Sequence, residues 1–160
     1  MAKNTTPATA PIEAERLVPR VGSGYPAPFA AACAAREKRA LGDPFGLSHF
    51  GVNLVRLKPG AASSQRHWHS REDELVYILE GEVVLVTDAG EQVMTPGTCM
   101  GFPAGAANGH QLVNRSGRDA VYLEVGDRVP DDAVDYPDID MLVRTVEGRR
   151  RYLRKNGSPY

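Results

Sequence analysis

Cysteine is scarce in this chain, and neither sign of charge is in excess. Cys33 and Cys99 are the two cysteines among 160 residues and form no Cys-x-x-Cys pair, so the sequence offers neither a disulfide framework nor a thiolate zinc cluster. A reducing, cytoplasmic setting is the simpler expectation. Nineteen basic against twenty acidic residues leave a formal net charge of -1, which gives no field to draw in nucleic acid or an anionic membrane. No stretch approaches the roughly 18 apolar residues of a membrane span, and Met1 to Glu13 is rich in Thr, Ala and Pro with no apolar leader region. Export, membrane insertion and nucleic-acid binding are all unexpected, the last also because no helix-turn-helix pattern is present. What remains has 42% hydrophobic and 24% charged residues, the ordinary composition of one globular domain.

Along the chain, residues 1–20 carry Pro7, Pro11 and Pro19 without periodicity and read as a flexible arm. Residues 21–45 read as a helical lead-in. The Ala-rich run from Phe29 to Leu41 favours one short helix, stopped by Gly42-Asp43-Pro44. From residue 46 to 128 the pattern changes to short β-rich runs: Phe50 to Leu57, Glu74 to Leu79, Glu82 to Thr87, Gln92 to Met94, Thr98 to Phe102, Gln111 to Val113 and Ala120 to Val125. Turn residues such as Pro59-Gly60, Gly81, Asp88-Ala89-Gly90 and Pro96-Gly97 separate them, the rhythm of an all-β sandwich or barrel. Residues 129–160 form a C-terminal extension expected to pack on the barrel or on a second subunit. Within it, Met141 to Tyr152 suits a hairpin turning at Glu147-Gly148, with a basic cluster at Arg149, Arg150, Arg151, Arg154 and Lys155 that reads first as a charged strand edge. Glu74 to Leu79 is apolar on both faces after its first residue, so its outer side also needs a cover, for which a homodimer is the expectation.

The four histidines carry the chemistry. His67 and His69 stand two apart, a spacing that puts both imidazoles on one face of a strand, whereas on a helix they would diverge by roughly 200°. Glu74 follows His67 by seven positions, an odd offset that a continuous strand would send to the other face. The polar stretch Ser70-Arg71-Glu72-Asp73 suits a turn that resets the parity, after which Glu74, Val76 and Ile78 would face inward together. Glu72 and Asp73 are competing carboxylates. His110 begins a later strand after the loop from Pro103 to Gly109 and could bring a fourth ligand. Three imidazoles and one carboxylate suit a single divalent transition metal, Fe, Mn, Ni, Co or Zn, with positions left open for substrate. His49 fits no spacing and reads as structural, and Trp68 points away from the histidine face.

These residues resemble the cupin superfamily, whose two motifs read Gly-x5-His-x-His-x3–4-Glu-x6-Gly and Gly-x5-Pro-x-Gly-x2-His-x3-Asn. The first runs here from Gly60 through His67, His69 and Glu74 to Gly81, with six residues before the first histidine. The second runs from Gly97 through Pro103, Gly105 and His110 to Asn114, with four residues before the histidine. The resemblance implies a double-stranded β-helix, a jelly-roll barrel, preceded here by the short N-terminal helix. It implies metal ligation by His67, His69, Glu74 and His110, and its Glu-x6-Gly interval selects Glu74 over Glu72 and Asp73. The overall pattern resembles small single-domain bacterial cupins described as sugar-phosphate isomerases.

The first functional expectation is therefore a metal-dependent enzyme acting on a small polar molecule inside the barrel, either a dioxygenase-type oxidoreductase or a sugar-phosphate-isomerase-like enzyme. In it Glu74 would be a ligand that also shuttles a proton. An isomerase needs a separate base and, for a phosphorylated sugar, a cationic clamp. Arg56, Lys58, Arg66 and Arg71 are the candidates, although a solvated surface charge is the simpler reading of each. The alternative is a non-catalytic module whose metal organises a small-molecule or sugar-binding pocket, because no acid-base pair stands out beside the ligands.

Overall fold

The computed structural model describes residues 6–160, in which thirteen strands form three antiparallel sheets. The largest places β1 (Arg20–Val21), β2 (Arg36–Ala40), β3 (Phe50–Leu57), β10 (Ala120–Asp127), β5 (Glu74–Glu80) and β8 (Cys99–Phe102) side by side in that order. A second consists of β7 (Gly90–Met94), β6 (Val83–Thr87) and β9 (Gln111–Val113), and a third of β13 (Arg149–Leu153), β12 (Met141–Val146), β11 (Val134–Tyr136) and β4 (Trp68–His69). The inner positions of the first two sheets share one core, Val55, Leu57, Val76 and Ile78 against Val83, Leu85 and Leu112. This is the all-β, jelly-roll type of packing expected, although the sheets stay separate and do not close into one continuous barrel.

Alternation explains which side chains reach the interior. In β5, Val76 and Ile78 are 2% and 0% exposed, while Leu75, Tyr77 and Leu79 are 43%, 39% and 39% exposed. Glu74 therefore opens the strand on the inner face, as the turn through Ser70 to Asp73 requires. The C-terminal hairpin turns at Glu147 and Gly148, both with positive φ (51° and 71°), which is the twist that joins two strands through two residues. The extension packs on the body of the chain, because β11 pairs with β4, Val134 opposite His69 and Asp135 opposite Trp68.

The helix expected between residues 28 and 41 is not formed. Its Ala-rich part makes only a 3-10 turn at Ala31–Cys33, a second such turn covers Asp43–Phe45, and Arg36–Ala40 is a strand paired on both sides. Helix preferences of a few tenths of a kcal/mol per residue, about 0.7 at most for ordinary residues, are outweighed by two hydrogen-bonded ladders and by side chains fixed from both faces. Arg36 donates to the carbonyls of Gly22 and Ser63, Lys38 pairs with Glu124, and Arg39 donates to the carbonyl of Leu17 at 3.0 Å. That last bond ties down part of the N-terminal arm, whose residues 1–5 lie outside the described residues. Among the described residues no helix is long and apolar enough to cross a membrane.

Candidate metal centre

His67 and His110 come from segments 43 residues apart and are joined by their backbones. His67 N–H donates to the carbonyl of His110 at 3.1 Å, and His110 N–H returns the bond at 2.8 Å. The two rings lie 4.8 Å apart, centre to centre. His69, two residues on, turns its ring to the same side, and Glu74 enters from the start of β5. His67 Nε2 and His69 Nε2 are 3.2 Å apart, while Glu74 Oε2 lies 3.8 Å from His69 Nε2 and 3.7 Å from His110 Nε2. Glu72 and Asp73 take other places. Glu72 sits behind His69 and accepts from Val129 N–H at 2.9 Å, and Asp73 accepts from Ala104 N–H at 2.7 Å.

The hydrogen bonds on the far side of the rings decide what faces inward. His67 Nδ1 is 2.9 Å from the carbonyl of Gln65, which can only accept, so Nδ1 carries the proton. His69 Nδ1 is 2.7 Å from Asp132 Oδ2, with the same consequence. Both Nε2 atoms then present lone pairs to each other at 3.2 Å, a repulsive arrangement that a cation between them relieves. Both ring nitrogens of His110 are buried without a hydrogen-bond partner among the described residues, a costly state for a polar group unless something binds there. Bonds of about 2.1 Å to one ion place its ligand atoms roughly 3 to 4 Å apart, the range seen here. His67, His69 and Glu74 thus form a group that could hold a metal ion, with His110 Nε2 beside it, 3.7 Å from Glu74 Oε2.

Asp132, 1% exposed, holds this arrangement from behind. Burial alone would push its carboxyl up, but the bonds from His69 and from Arg71 N–H (2.9 Å) hold it below the usual carboxylate range. Burial, then the charge of His110, drives the His67 imidazole down from 6.5 to about 3, against the pull of Glu74. It stays neutral, the form in which imidazole binds a metal. Phe102 stacks on His110 at 3.6 Å and 8°, which fixes that ring.

The cluster lies in a cavity of about 770 Å³ that also holds Arg20, Arg36, Lys38, Tyr122 and Glu124. Lys38 forms an ion pair with Glu124, to which Asn53 Nδ2 also donates at 3.0 Å. Burial would raise Glu124, but Lys38 outweighs it and holds the carboxyl below its ordinary value. Tyr122 Oη is buried without a hydrogen-bond partner among the described residues.

The clamp candidates taken from the sequence are elsewhere. Arg56 and Lys58 meet Asp119, Arg66 meets Asp88 and Asp138, Arg71 is exposed, and none lines the cavity. Arg56 falls on the opposite parity of β3 from the inward Asn53 and Val55, and for that reason it faces outward. The cavity's own polar residues, Lys38, Tyr122 and Glu124, were missed in the sequence. Their signal is alternation: Arg36 and Lys38 share one face of a strand mistaken for helix, and Tyr122 and Glu124 interleave with Val121, Leu123 and Val125.

Antiparallel sheets packed face to face around an interior imidazole-carboxylate cluster define a protein of the jelly-roll class. A cupin domain model matches residues 53–126. A crystal structure of a cupin-superfamily sugar phosphate isomerase from Silicibacter pomeroyi is 48% identical, with 94% of this chain and 96% of that one covered and a TM-score of 0.89. A structure from Acidithiobacillus ferrooxidans, provisionally designated a sugar phosphate isomerase, is 31% identical over 78% of this chain and 80% of that one, with a TM-score of 0.71. The polyketide cyclase RemF from Streptomyces resistomycificus shares the fold at 22% identity and a TM-score of 0.67, covering 82% and 87% of the two chains. Among curated proteins none matches this sequence. The chain belongs to the cupin superfamily.

Proposed function

We propose that this cupin is a metal-dependent isomerase of small polyhydroxy carbonyl compounds, with the ion held by His67, His69, Glu74 and His110. The single observation that carries this reading is the pair of facing Nε2 lone pairs at 3.2 Å beside a buried, unpartnered His110, at the wall of a polar cavity. When bound, a divalent ion supplies Lewis acidity that polarises a substrate carbonyl and makes the neighbouring C–H more acidic. The two relatives bearing the isomerase designation support this chemistry over dioxygenation.

The chain's own residues supply the rest. Glu124, kept ionised by Lys38 and Asn53, is the second carboxylate an isomerase needs, ready to take a proton from the carbon beside the carbonyl and return it to the former carbonyl carbon. The Tyr122 hydroxyl, which burial pushes well above the ordinary tyrosine range, stays protonated and can donate to a substrate oxygen. Glu74 contributes charge to the cluster, and its carboxylate is the alternative proton carrier.

The test loads the purified protein separately with Mn(II), Fe(II), Co(II), Ni(II) and Zn(II), and follows aldose and ketose phosphates by NMR in deuterated water. Interconversion with deuterium entering the substrate, abolished by chelation and by His110→Ala, is the expected result. Oxygen uptake without isomerisation would move the assignment to a dioxygenase, and binding of sugars without any turnover to a non-catalytic module.

A further inference from the structure

Five cationic side chains, Arg20, Arg36, Lys38, Arg128 and Arg150, line the cavity, and they differ in how their charges are met. Lys38 is paired with Glu124, Arg128 with Asp43 at 2.6 Å, and Arg150 reaches Asp132 at 3.5 Å. Arg20 and Arg36 differ from these. Arg36 donates from Nε and Nη2 to the carbonyl of Gly22, at 3.2 and 2.8 Å, and from Nη1 to the carbonyl of Ser63. Carbonyls accept its hydrogen bonds, its charge also acts on Glu124 without a direct ion pair, and two of its five N–H groups remain unassigned. Arg20 makes no ion pair among the described residues. It stands opposite Lys38 in the β1–β2 register, and its guanidinium lies against Gly24, where an added Cβ would come within 2.7 Å of Nη2.

A second observation points to a ligand on the same wall. Tyr122 is 1% exposed and lines the cavity, and its hydroxyl, near the Ser63 side chain, makes no well-formed hydrogen bond among the described residues. It lies on β10, between β3 and β5 in the six-stranded sheet, and the charges that act on it include Glu124, Arg36 and Glu74. Two guanidinium groups without an ion-pair partner among the described residues, Arg20 exposed and Arg36 half-buried, stand on the same cavity wall as this hydroxyl, and an anion there would accept charge-assisted hydrogen bonds from them. The planar guanidinium fork matches the paired oxygens of a carboxylate or phosphate.

We propose that Arg20 and Arg36, with the Tyr122 hydroxyl, form an oxyanion-binding subsite that holds the carboxylate or phosphate end of the substrate while its other end faces the histidine cluster. β2 lies three strands from β5, roughly 14 Å at about 4.8 Å per strand. Less the reach of the side chains on either side, this suits a chain of a few carbons with its anion at one end. The subsite rests on the isomerase reading only for what happens at the far end of the ligand.

The test titrates inorganic phosphate and, separately, malonate into the full chain by calorimetry, once after chelation and once with Mn(II) restored. Binding of at least one anion by the chelated protein is expected, weakened about tenfold or more in Arg20→Gln, less in Tyr122→Phe, and reduced by added salt. The tighter of the two probes tells phosphate from carboxylate. Arg36→Gln also removes the ties to Gly22 and Ser63, so Arg20→Gln, with its side chain free of such ties, carries the decision. Unchanged affinity in Arg20→Gln, or binding seen only when metal is present, overturns the subsite. The second result leaves the metal centre standing. Phosphate binding that survives in a protein unable to hold any of the five metals supports the subsite and removes the isomerase reading alone.

Discussion

Asp132 governs what His69 can offer. By accepting from Nδ1 it fixes the tautomer whose Nε2 faces the cluster, and it does so while also bonded to Ser70 Oγ and Arg71 N–H. Asp132→Asn should weaken binding of Mn(II) or Zn(II) about 10- to 100-fold, measured by competition with a chromogenic chelator. Glu72→Gln, whose carboxylate is 3.5 Å from the same nitrogen, should matter much less. His67 makes a pH prediction. The unfolded chain takes up a proton on this residue near 6.5, but the folded, metal-free protein resists doing so until about 3. The stability this contributes is complete above 6.5 and is lost progressively as pH falls toward 3. Thermal melts of chelated protein should therefore decline across that window, and His67→Gln should flatten part of the decline. His67, His69 and Glu74 were legible because the geometry linking them is local, a strand spacing and a turn. Asp132 was not, because it reaches His69 from 63 residues away and nothing in Pro130-Asp131-Asp132 marks one carboxylate as buried.

At the scale of elements, the turn between β5 and β6 shows how the motif's glycine works. Gly81 has φ +68°, and a Cβ there would lie 2.4 Å from the carbonyl oxygen of Asp119 and 2.9 Å from Ala120 Cα. Gly81→Ala should cost about 2–4 kcal/mol, from the left-handed backbone and the overlap together. Gly60→Ala, at φ +83° with nothing within 4 Å of the added carbon, should lose only about 1 kcal/mol. Urea denaturation of the two variants separates close approach from conformation. The outer face of β5 bears on a different question. Leu75, Tyr77 and Leu79 are substantially exposed in the single chain, and the homodimer expected from the sequence would cover them. Sedimentation equilibrium should then give twice the chain mass, reduced to one by Tyr77→Glu; a wild-type monomer removes the idea. Most strands from Phe50 onward were readable because apolar alternation and turn residues agree there. β2 was not, because its pairing with β1 and β3 is a long-range fact, and the alanines before it favour helix when considered alone.

At the scale of the whole molecule, the four candidate ligands belong to different parts of the architecture. His69 lies in β4 of the sheet built with the C-terminal hairpin, Glu74 opens β5 of the six-stranded sheet, and His110 immediately precedes β9 of the three-stranded one. An ion bound by all four would join sheets that otherwise meet through packing and isolated bridges. The main core, with Val55, Ile78, Leu85 and Leu112, contains none of these ligands, so folding does not depend on the ion in the way a small zinc finger's does. Chelation should therefore lower the melting temperature without abolishing a cooperative transition. An ion present at a hundred times its Kd stabilises the native state by about 2.7 kcal/mol, which for a chain of this length corresponds to roughly 5–10 °C. Calorimetric scans with and without chelator measure the difference directly. His110→Ala should show a smaller chelator shift, since His67, His69 and Glu74 could still hold an ion but no longer tie it to the three-stranded sheet. A shift undiminished in this variant would take His110 out of the ligand set.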